Sequence, residues 1–252
     1  GQAGPDLFLA ANGEPLGFVQ AVVGGRSVGV PGLMRMLELA HAEHGKLPWA
    51  SLFEPAIRLA REGFAQSARL RTLLARERWL QKDAEALPIY FNAQGQPHPV
   101  GYVLRNPALA ETLESIARDG ARVLHHGPIA RDIVAKVRSH PSNPGLLEES
   151  DLANYRAIRR EVLCAPHQRW LICGMPPPSA GAIAIAQILA LHDRIRKAGG
   201  AAPTNAIERD ALQAHQFTEA VRLAFADRDQ WVADPAFTDV PVEALLKPAY
   251  LD

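Results

Sequence analysis

Apolar residues recur at helical spacing over most of the chain, and local signals mark where several helices begin and end. Pro31-Gly32 opens a pattern that runs through His44 with its apolar residues on one face. Asn106-Pro107 is a strong helix start, and Asp119-Gly120 is a fitting stop. Further helices are predicted from Ser51 to Gly63 with Ser51 and Glu54 in capping-box spacing, from Ala68 to Glu85, from Gly127-Pro128 to before Pro141, from Glu149 to Tyr155, and from Ala206 to Trp231.

Extended segments are fewer. Residues 16–30 are β-branched and glycine-rich, and they predict a strand, a glycine turn and a second extended piece. Residues 87–104 predict a loop with short strands, and residues 164–173 predict a hairpin. Because strands and helices alternate too sparsely for a complete Rossmann or barrel domain, the pattern predicts a helix-rich α/β or α+β fold.

The stretch "GMPPPSAGAIAIAQIL", residues 174–189, sets three prolines before a run in which Gln187 is the one large polar side chain. The prolines stiffen an extended lead, and Ser179 is predicted to cap the helix that follows. The small residues 180–182 predict a point where another backbone comes close. The apolar run 180–191 is shorter than the roughly 18 residues that cross a membrane. We therefore expect a buried helix and no membrane span. The segment before the helix is either an ordinary loop or a backbone feature beside a binding site.

The composition indicates a folded globular protein. The chain has 252 residues, of which 48% are hydrophobic and 21% charged, and these values are typical of that class. Lys and Arg number 27, as do Asp and Glu, so the formal net charge is zero and gives no electrostatic footprint for nucleic acid. No signal peptide or initiating Met is present, and we expect residues 1–252 to form a single-domain fragment or processed product.

The two cysteines, Cys164 and Cys173, flank the predicted hairpin turn. If the turn is centred between Gln168 and Arg169, the cysteines lie directly opposite each other, close enough for a disulfide. The other interpretation is a pair of small buried hydrophobic residues. A metal site is disfavoured because the spacing of a four-ligand set is absent.

Residues 25–29, Gly-Arg-Ser-Val-Gly, match G-x-S-x-G, the nucleophile elbow of the α/β-hydrolases. That motif needs a strand, a sharp turn and an immediate helix, whereas Val30 precedes Pro31 and is steered away from helical geometry. Ser27 is thus a candidate nucleophile of a serine esterase. The competing interpretation is a glycine-permitted turn in which the serine bonds solvent or backbone.

Other chemistry-bearing residues give weaker signals. The histidines lack the carboxylate-plus-histidine spacing of a zinc motif, and Gly45-Lys46 lacks the rest of a phosphate loop. An acidic cluster at residues 225–235 predicts either a clamp for a substrate amine or structural charge pairs near a helix end. The side chains concerned are His41, His44, His125, His126, His215, Asp227, Arg228, Asp229 and Asp234.

Long stretches of the chain closely resemble the γ-glutamyltranspeptidases. Residues 22–64 carry the first match, and "EESDLANYRAIRREV" at 148–162 is similar to the family's E-D-L-A-x-Y segment. "MPPPSAGAIAIAQIL" at 175–189 resembles its M-P-P-P-S-S-G-G stretch, and 219–252 is similar to the end of its large-subunit body. The resemblance covers essentially the whole chain, with the motifs in the family's order.

The resemblance implies a precursor that cuts itself into a large and a small subunit. The first residue of the small subunit, a threonine, acts as nucleophile and, through its own amine, as base. The implied fold is the helix-rich part of a four-layer αββα sandwich of N-terminal nucleophile hydrolases. The implied reaction takes the γ-glutamyl group from glutathione or related amides to water, an amino acid or a peptide, with no metal or organic cofactor. Bacterial members are usually periplasmic or secreted.

No threonine of this chain lies in the family's nucleophile setting, so we carry no catalytic or substrate-binding residue onto a numbered position. The five threonines are Thr72, Thr112, Thr204, Thr218 and Thr238. Where the family commonly has S-S-G-G, this chain has Ser179-Ala180-Gly181-Ala182, which puts a ligand role of positions 180 and 182 in doubt. The alternatives are a β-lactam side-chain acylase of the same fold, a serine esterase using Ser27, and a non-catalytic helical interaction module.

Overall fold

The first of two units in the chain consists of helices and one pair of short strands. The structure, a computed structural model, describes residues 2–199 and 203–252, and the two units are Gly1–Ile158 and Arg159–Asp252. The α-helices of the first unit are α1 (Phe18–Val22), α2 (Leu33–His44), α3 (Glu54–Glu62), α4 (Ala68–Arg76), α5 (Leu87–Tyr90), α6 (Pro107–Asp119), α7 (Pro128–Arg138) and α8 (Glu149–Asn154). Two short strands, β1 (Phe64–Ala65) and β2 (Val103–Leu104), pair antiparallel.

Helix α6 has the ends that the sequence predicts. The Asn106 side chain accepts a hydrogen bond from the backbone N–H of Leu109 at 3.0 Å, and Pro107 occupies the first helical position. Gly120 ends the helix with φ of +78°, a conformation that favours glycine. Ala60 of α3 and Ala110 and Ile116 of α6 are buried between the two helices.

Residues 16–30 do not form the predicted strands. Phe18–Val22 is a short helix, and the glycine segment after it is held by Asn143, far along the chain. The Asn143 side-chain amide donates to the carbonyls of Gln20 at 2.8 Å and Val23 at 2.7 Å, and its oxygen accepts from Arg26 Nε at 2.8 Å. The β-branched residues predicted a strand, but a strand needs a partner strand and this segment has a side-chain amide instead.

Backbone contacts tighten the same junction. The carbonyl of Asn143 accepts from the N–H of Gly25 at 2.8 Å. A Cβ placed on Gly25 would collide with the carbonyl of Val137, and one placed on Gly145 would collide with the carbonyl of Gly25. Glycine is required at both positions because the two backbones touch.

The predicted start of one helix and the predicted end of another are wrong. Helix α3 begins at Glu54 without the predicted capping box, because Ser51 instead donates to the carbonyl of Pro48 at 2.7 Å within a 3₁₀ turn. Helix α4 ends at Arg76 rather than near Glu85. The Glu77 carboxylate accepts from the N–H groups of the next turn, at 2.7 Å from Trp79, and starts a 3₁₀ turn there. These backbone hydrogen bonds lower the pKa of Glu77 below its ordinary value.

A hydrophobic cluster of the first unit lies at α7 and α8. Ala130, Val137, Leu147 and Leu152 are buried there. Partly buried side chains of Val30, Ile133 and Val134 pack around it. The predicted helices after Gly127-Pro128 and Glu149 therefore supply three of its four buried residues, as amphipathic helices do.

The second unit consists of a hairpin and helices. Its elements are β3 (Leu163–His167), β4 (Trp170–Gly174), α9 (Gly181–Ala198), α10 (Ala206–Trp231), α11 (Val242–Leu245) and α12 (Pro248–Leu251). The hairpin has the predicted register, with Cys164 opposite Cys173, and the two cysteines form a disulfide. The prediction left a disulfide and two buried thiols open, and the structure selects the disulfide.

Helix α9 carries the hairpin along one side. At the open end of the hairpin, a Cβ placed on Gly174 would lie 3.1 Å from Cβ of Ala182, in the first turn of α9. At its tip, His167 Nδ1 lies 3.8 Å from Asp193 Oδ2. Because residues 182 and 193 are separated by about three helical turns, the hairpin runs lengthwise against the helix.

Helices α9 and α10 pack against each other. Ala220 and Ala224 of α10 and Ile183 of α9 are essentially inaccessible to solvent.

No α-helix within residues 2–199 and 203–252 is long and apolar enough to span a membrane.

Replacing Asn143 with Ala tests whether its side chain holds residues 20–26 in place within the first unit. The substitution removes three side-chain hydrogen bonds and leaves their partners unpaired, so we expect the free energy of unfolding to fall by about 3 kcal/mol. Urea denaturation followed by circular dichroism measures this loss. The matched control Asn154→Ala, at an exposed position, is expected to change it by less than about 0.5 kcal/mol. Equal effects of the two substitutions would contradict the assignment.

A double-mutant cycle tests the fit of the hairpin to α9. Gly174→Ala brings a methyl group against that of Ala182, and we expect a loss of about 1 kcal/mol in unfolding free energy. In an Ala182→Gly background, Gly174→Ala no longer lowers the unfolding free energy, because the opposing methyl group is absent. The coupling energy between the two substitutions is therefore expected to be about 1 kcal/mol. Gly181→Ala is the control, because a Cβ there meets only Ser179 Oγ at 3.6 Å. A coupling energy near zero would refute the contact.

Candidate functional site

The candidate site is the proline-rich segment 175–180 together with the first turns of α9. Pro177 is buried, and the Pro177–Pro178 peptide bond is cis. The N–H of Ser179 donates to the carbonyl of Pro176 at 3.1 Å, which closes a turn, and α9 begins at Gly181. The segment thus passes from the hairpin to the helix with a stiffened backbone, as the prolines predict.

The structure bears on two predictions about this segment. Ser179 is not the N-cap residue of α9, because that position is Ala180; the Ser179 hydroxyl, one residue earlier, accepts a hydrogen bond of 3.4 Å from the N–H of Gly181. The predicted close approach of another backbone to residues 180–182 occurs at Ala182, because a Cβ placed on Gly174 would lie 3.1 Å from Cβ and 3.4 Å from Cα of Ala182. The first N–H of the helix therefore has the Ser179 hydroxyl as its partner.

Behind the segment, Gln187 is the polar centre of the second unit. Its side chain is fully buried, and its amide donates to Asp227 Oδ2 at 2.7 Å and to the carbonyl of Leu245 at 3.0 Å. Tyr250 donates its hydroxyl to Asp227 Oδ1 at 2.8 Å, and this bond raises the pKa of the tyrosine above its ordinary value. One carboxylate therefore ties α9, α10 and α12 together.

The remaining acidic residues near the end of α10 also have protein partners. Asp229 pairs with Arg228 at 2.5 Å on the surface. Asp234 accepts from the N–H of Ala236 at 3.0 Å and lies 3.5 Å from Arg160. Of the two predicted roles, a clamp for a substrate amine or structural charge pairs, the geometry favours structural pairs.

Ser27 does not sit on a nucleophile elbow. The residues before it form helix α1 and a loop rather than a strand, and no helix follows at once. Its hydroxyl donates to the carbonyl of Val22 at 2.7 Å. The backbone-bonded serine is therefore the correct interpretation of the motif, because the glycines serve the contact with Asn143 and Val137 described above.

The histidines considered as candidate metal ligands do not form one cluster, and they contact other protein groups or solvent. His41 Nε2 contacts the carbonyl of Leu47 at 2.7 Å, and His215 is exposed on α10. His125 is buried, its Nδ1–H donates to the carbonyl of Leu152 at 2.9 Å, and burial lowers its pKa below the ordinary value. Within residues 2–199 and 203–252, no group of three or more His, Cys, Asp or Glu is placed to hold a metal ion.

A cleft of about 730 Å³ opens between the hairpin tip, α9 and α10. Its walls carry charge of both signs and one aromatic ring, supplied chiefly by His167, His192, Asp193, Arg196, Asp210 and Phe217. Arg196 and His167 both face Asp193, at 4.0 Å and 3.8 Å. The cleft has the chemistry to bind a charged group, but its walls contain no hydroxyl or thiol to act as nucleophile.

Sequence reasoning missed the residues that organise both units. Asn143 and Tyr250 were not singled out, and Gln187 was noticed only as a polar residue in an apolar run. Gln187 offered the one usable signal, because a large polar side chain inside a buried helix needs a hydrogen-bond partner. The contacts of Asn143 span about 120 positions, and no local pattern predicts them.

Comparison with known proteins identifies the family. The gamma-glutamyltranspeptidase family model matches residues 1–252. The chain is 32% identical over 254 residues to the glutathione hydrolase proenzyme of Escherichia coli K12, and the match covers 97% of this chain and 41% of that protein. This chain therefore spans about two fifths of the length of that relative.

Solved structures give the same result. The Helicobacter pylori gamma-glutamyltranspeptidase superposes with a TM-score of 0.84 at 28% identity, over 100% of this chain and 69% of that one. The cephalosporin acylase of Bacillus halodurans gives 0.75 at 27% identity, over 90% of this chain and 41% of that one. These likenesses confirm the predicted fold class, the helix-rich part of an N-terminal nucleophile hydrolase. By sequence and by fold, the chain belongs to the γ-glutamyltranspeptidase family.

Proposed function

We propose that the intact protein cleaves γ-glutamyl amides such as glutathione and transfers the γ-glutamyl group to water, an amino acid or a peptide. The observation that carries the proposal is the family match over residues 1–252, together with a relative named a glutathione hydrolase proenzyme. Because the chain spans about two fifths of that relative, the reaction is assigned to the whole protein and not to this segment alone.

The proposed chemistry proceeds through an ester. A threonine that begins the small subunit attacks the γ-carbonyl, and its free α-amine takes the hydroxyl proton. Backbone N–H groups stabilise the oxyanion, the amine leaves with a proton, and a γ-glutamyl ester remains. Water or an acceptor amine then attacks this ester, so hydrolysis and transpeptidation share one intermediate. None of these steps requires a metal or an organic cofactor.

We assign residues 1–252 the role of scaffold and pocket wall, with the nucleophile outside them. Each candidate within the described chain has another role that supports this assignment. Ser27 bonds a backbone carbonyl, and Asp227 joins three helices. The proline-rich segment 175–180 and the first turn of α9 are the surface that we propose faces the γ-glutamyl pocket. The small subunit is the expected partner.

We further propose a periplasmic or secreted location. The Cys164–Cys173 disulfide supports it, because disulfides persist in oxidising compartments and are rare in the cytosol.

An acylase acting on β-lactam side chains is the second candidate. It is favoured by the likeness to the cephalosporin acylase and by Ala180 and Ala182, which depart from the family's S-S-G-G. The two reactions share a nucleophile and differ in the acyl group. Rates with a γ-glutamyl anilide and with a cephalosporin side-chain amide therefore separate them, and the proposal requires the γ-glutamyl donor to be the faster.

Maturation tests the proposed class directly. We expect the product of the whole gene to mature into two chains, with the smaller beginning at a threonine. Intact mass and N-terminal sequencing measure this. Replacing that threonine with Ala is expected to abolish both cleavage and activity, since one hydroxyl serves both reactions. An active single-chain product, or a small chain with another first residue, would refute the mechanism.

A further inference from the structure

The hairpin that bears the disulfide has two chemically different faces. Side chains alternate along a strand, so Cys164 and Cys173 project from the same face as Leu171. Gly174 lies on the opposite face, against Ala182 of α9, and so does His167, beside Asp193. The disulfide therefore lies on the face turned away from α9.

The two cysteine residues differ in exposure. Cys173 is exposed and its neighbour Leu171 is 66% exposed, whereas Cys164 is half-buried. A disulfide is broken when a thiolate attacks one sulfur in line with the S–S bond, and access decides which sulfur is attacked. An incoming thiolate therefore reaches Cys173 first and expels the thiolate of Cys164.

We propose that the Cys164–Cys173 disulfide is a thiol–disulfide exchange site for small thiols, entered at Cys173. In the first step the thiolate bonds to the sulfur of Cys173, the S–S bond breaks, and Cys164 leaves as a thiolate. In the second step another thiolate attacks the small-molecule sulfur of the mixed disulfide and releases the Cys173 thiolate. Two small thiols are oxidised to one disulfide, and the protein disulfide is reduced to two thiols.

Opening the disulfide has a defined structural consequence. Two five-residue strands form a hairpin that is marginal by itself, so the bond and the packing on α9 hold it together. Reduction leaves strand pairing and the inner-face contacts alone to hold residues 163–174, directly before the proline-rich segment. No step of the exchange uses acyl-transfer chemistry. A result that refutes the exchange site therefore leaves the proposed catalytic function unaffected, and the reverse also holds.

The experiment uses the oxidised full-length protein in native buffer with excess reduced glutathione. Early samples are quenched in acid, free thiols are alkylated, and the cysteine peptides are mapped by tandem mass spectrometry. We expect glutathione on Cys173 with alkylated Cys164 at about five-fold or greater excess over the reverse isomer. A Cys164→Ser/Cys173→Ser variant supplies the background signal. A far-ultraviolet circular dichroism spectrum confirms that the protein remains folded during the reaction.

Two outcomes would overturn the proposal. One is that the adducts form mainly on Cys164, and the other is that reduction begins only after denaturant is added.

Discussion

The side-chain amide of Asn143 is the interaction on which the first unit depends. Its two N–H groups and its oxygen bind the segment from Gln20 to Arg26, and its backbone carbonyl binds Gly25. Arg26 extends the connection to the carbonyl of Leu7 at 2.8 Å. This segment has no regular strand pairing to satisfy its backbone, so one buried side chain replaces a sheet. Gly25 and Gly145 are consequences, because any side chain there would prevent the approach.

In the second unit, the buried side chain that holds the surrounding elements together is Gln187. It lies among small residues of α9 and α10, and its amide organises Asp227, Leu245 and, through Asp227, Tyr250. A buried amide is costly unless its bonds are made, and made bonds fix one arrangement of the helices around it. The proline-rich segment is thus attached to a helix whose position is fixed by the hydrogen bonds of Gln187 and Asp227. A helix fixed in this way is suited to form a rigid wall of a pocket.

Features set by neighbouring residues were predictable from the sequence. The ends of α6 follow from Asn106, Pro107 and Gly120, and the hairpin register follows from a turn placed between Gln168 and Arg169. The failures occur where a residue makes a different hydrogen bond from the expected one. Ser51 bonds the nearby Pro48 instead of capping α3, and Asn143, far along the chain, holds the segment predicted to be a strand. Ser179 accepts from the N–H of Gly181 but lies one residue before the N-cap position of α9.

Family membership leads to one central proposal, which is that this segment shapes the γ-glutamyl pocket and that the nucleophile lies outside it. The most direct measurement identifies the residue that carries the γ-glutamyl group during turnover. Full-length protein is quenched in acid while it turns over a γ-glutamyl donor, and its peptides are then analysed by tandem mass spectrometry. The account predicts the adduct on a threonine outside residues 1–252, with none on the peptides of this segment. An adduct on Ser27 or on any other residue of this segment would contradict it.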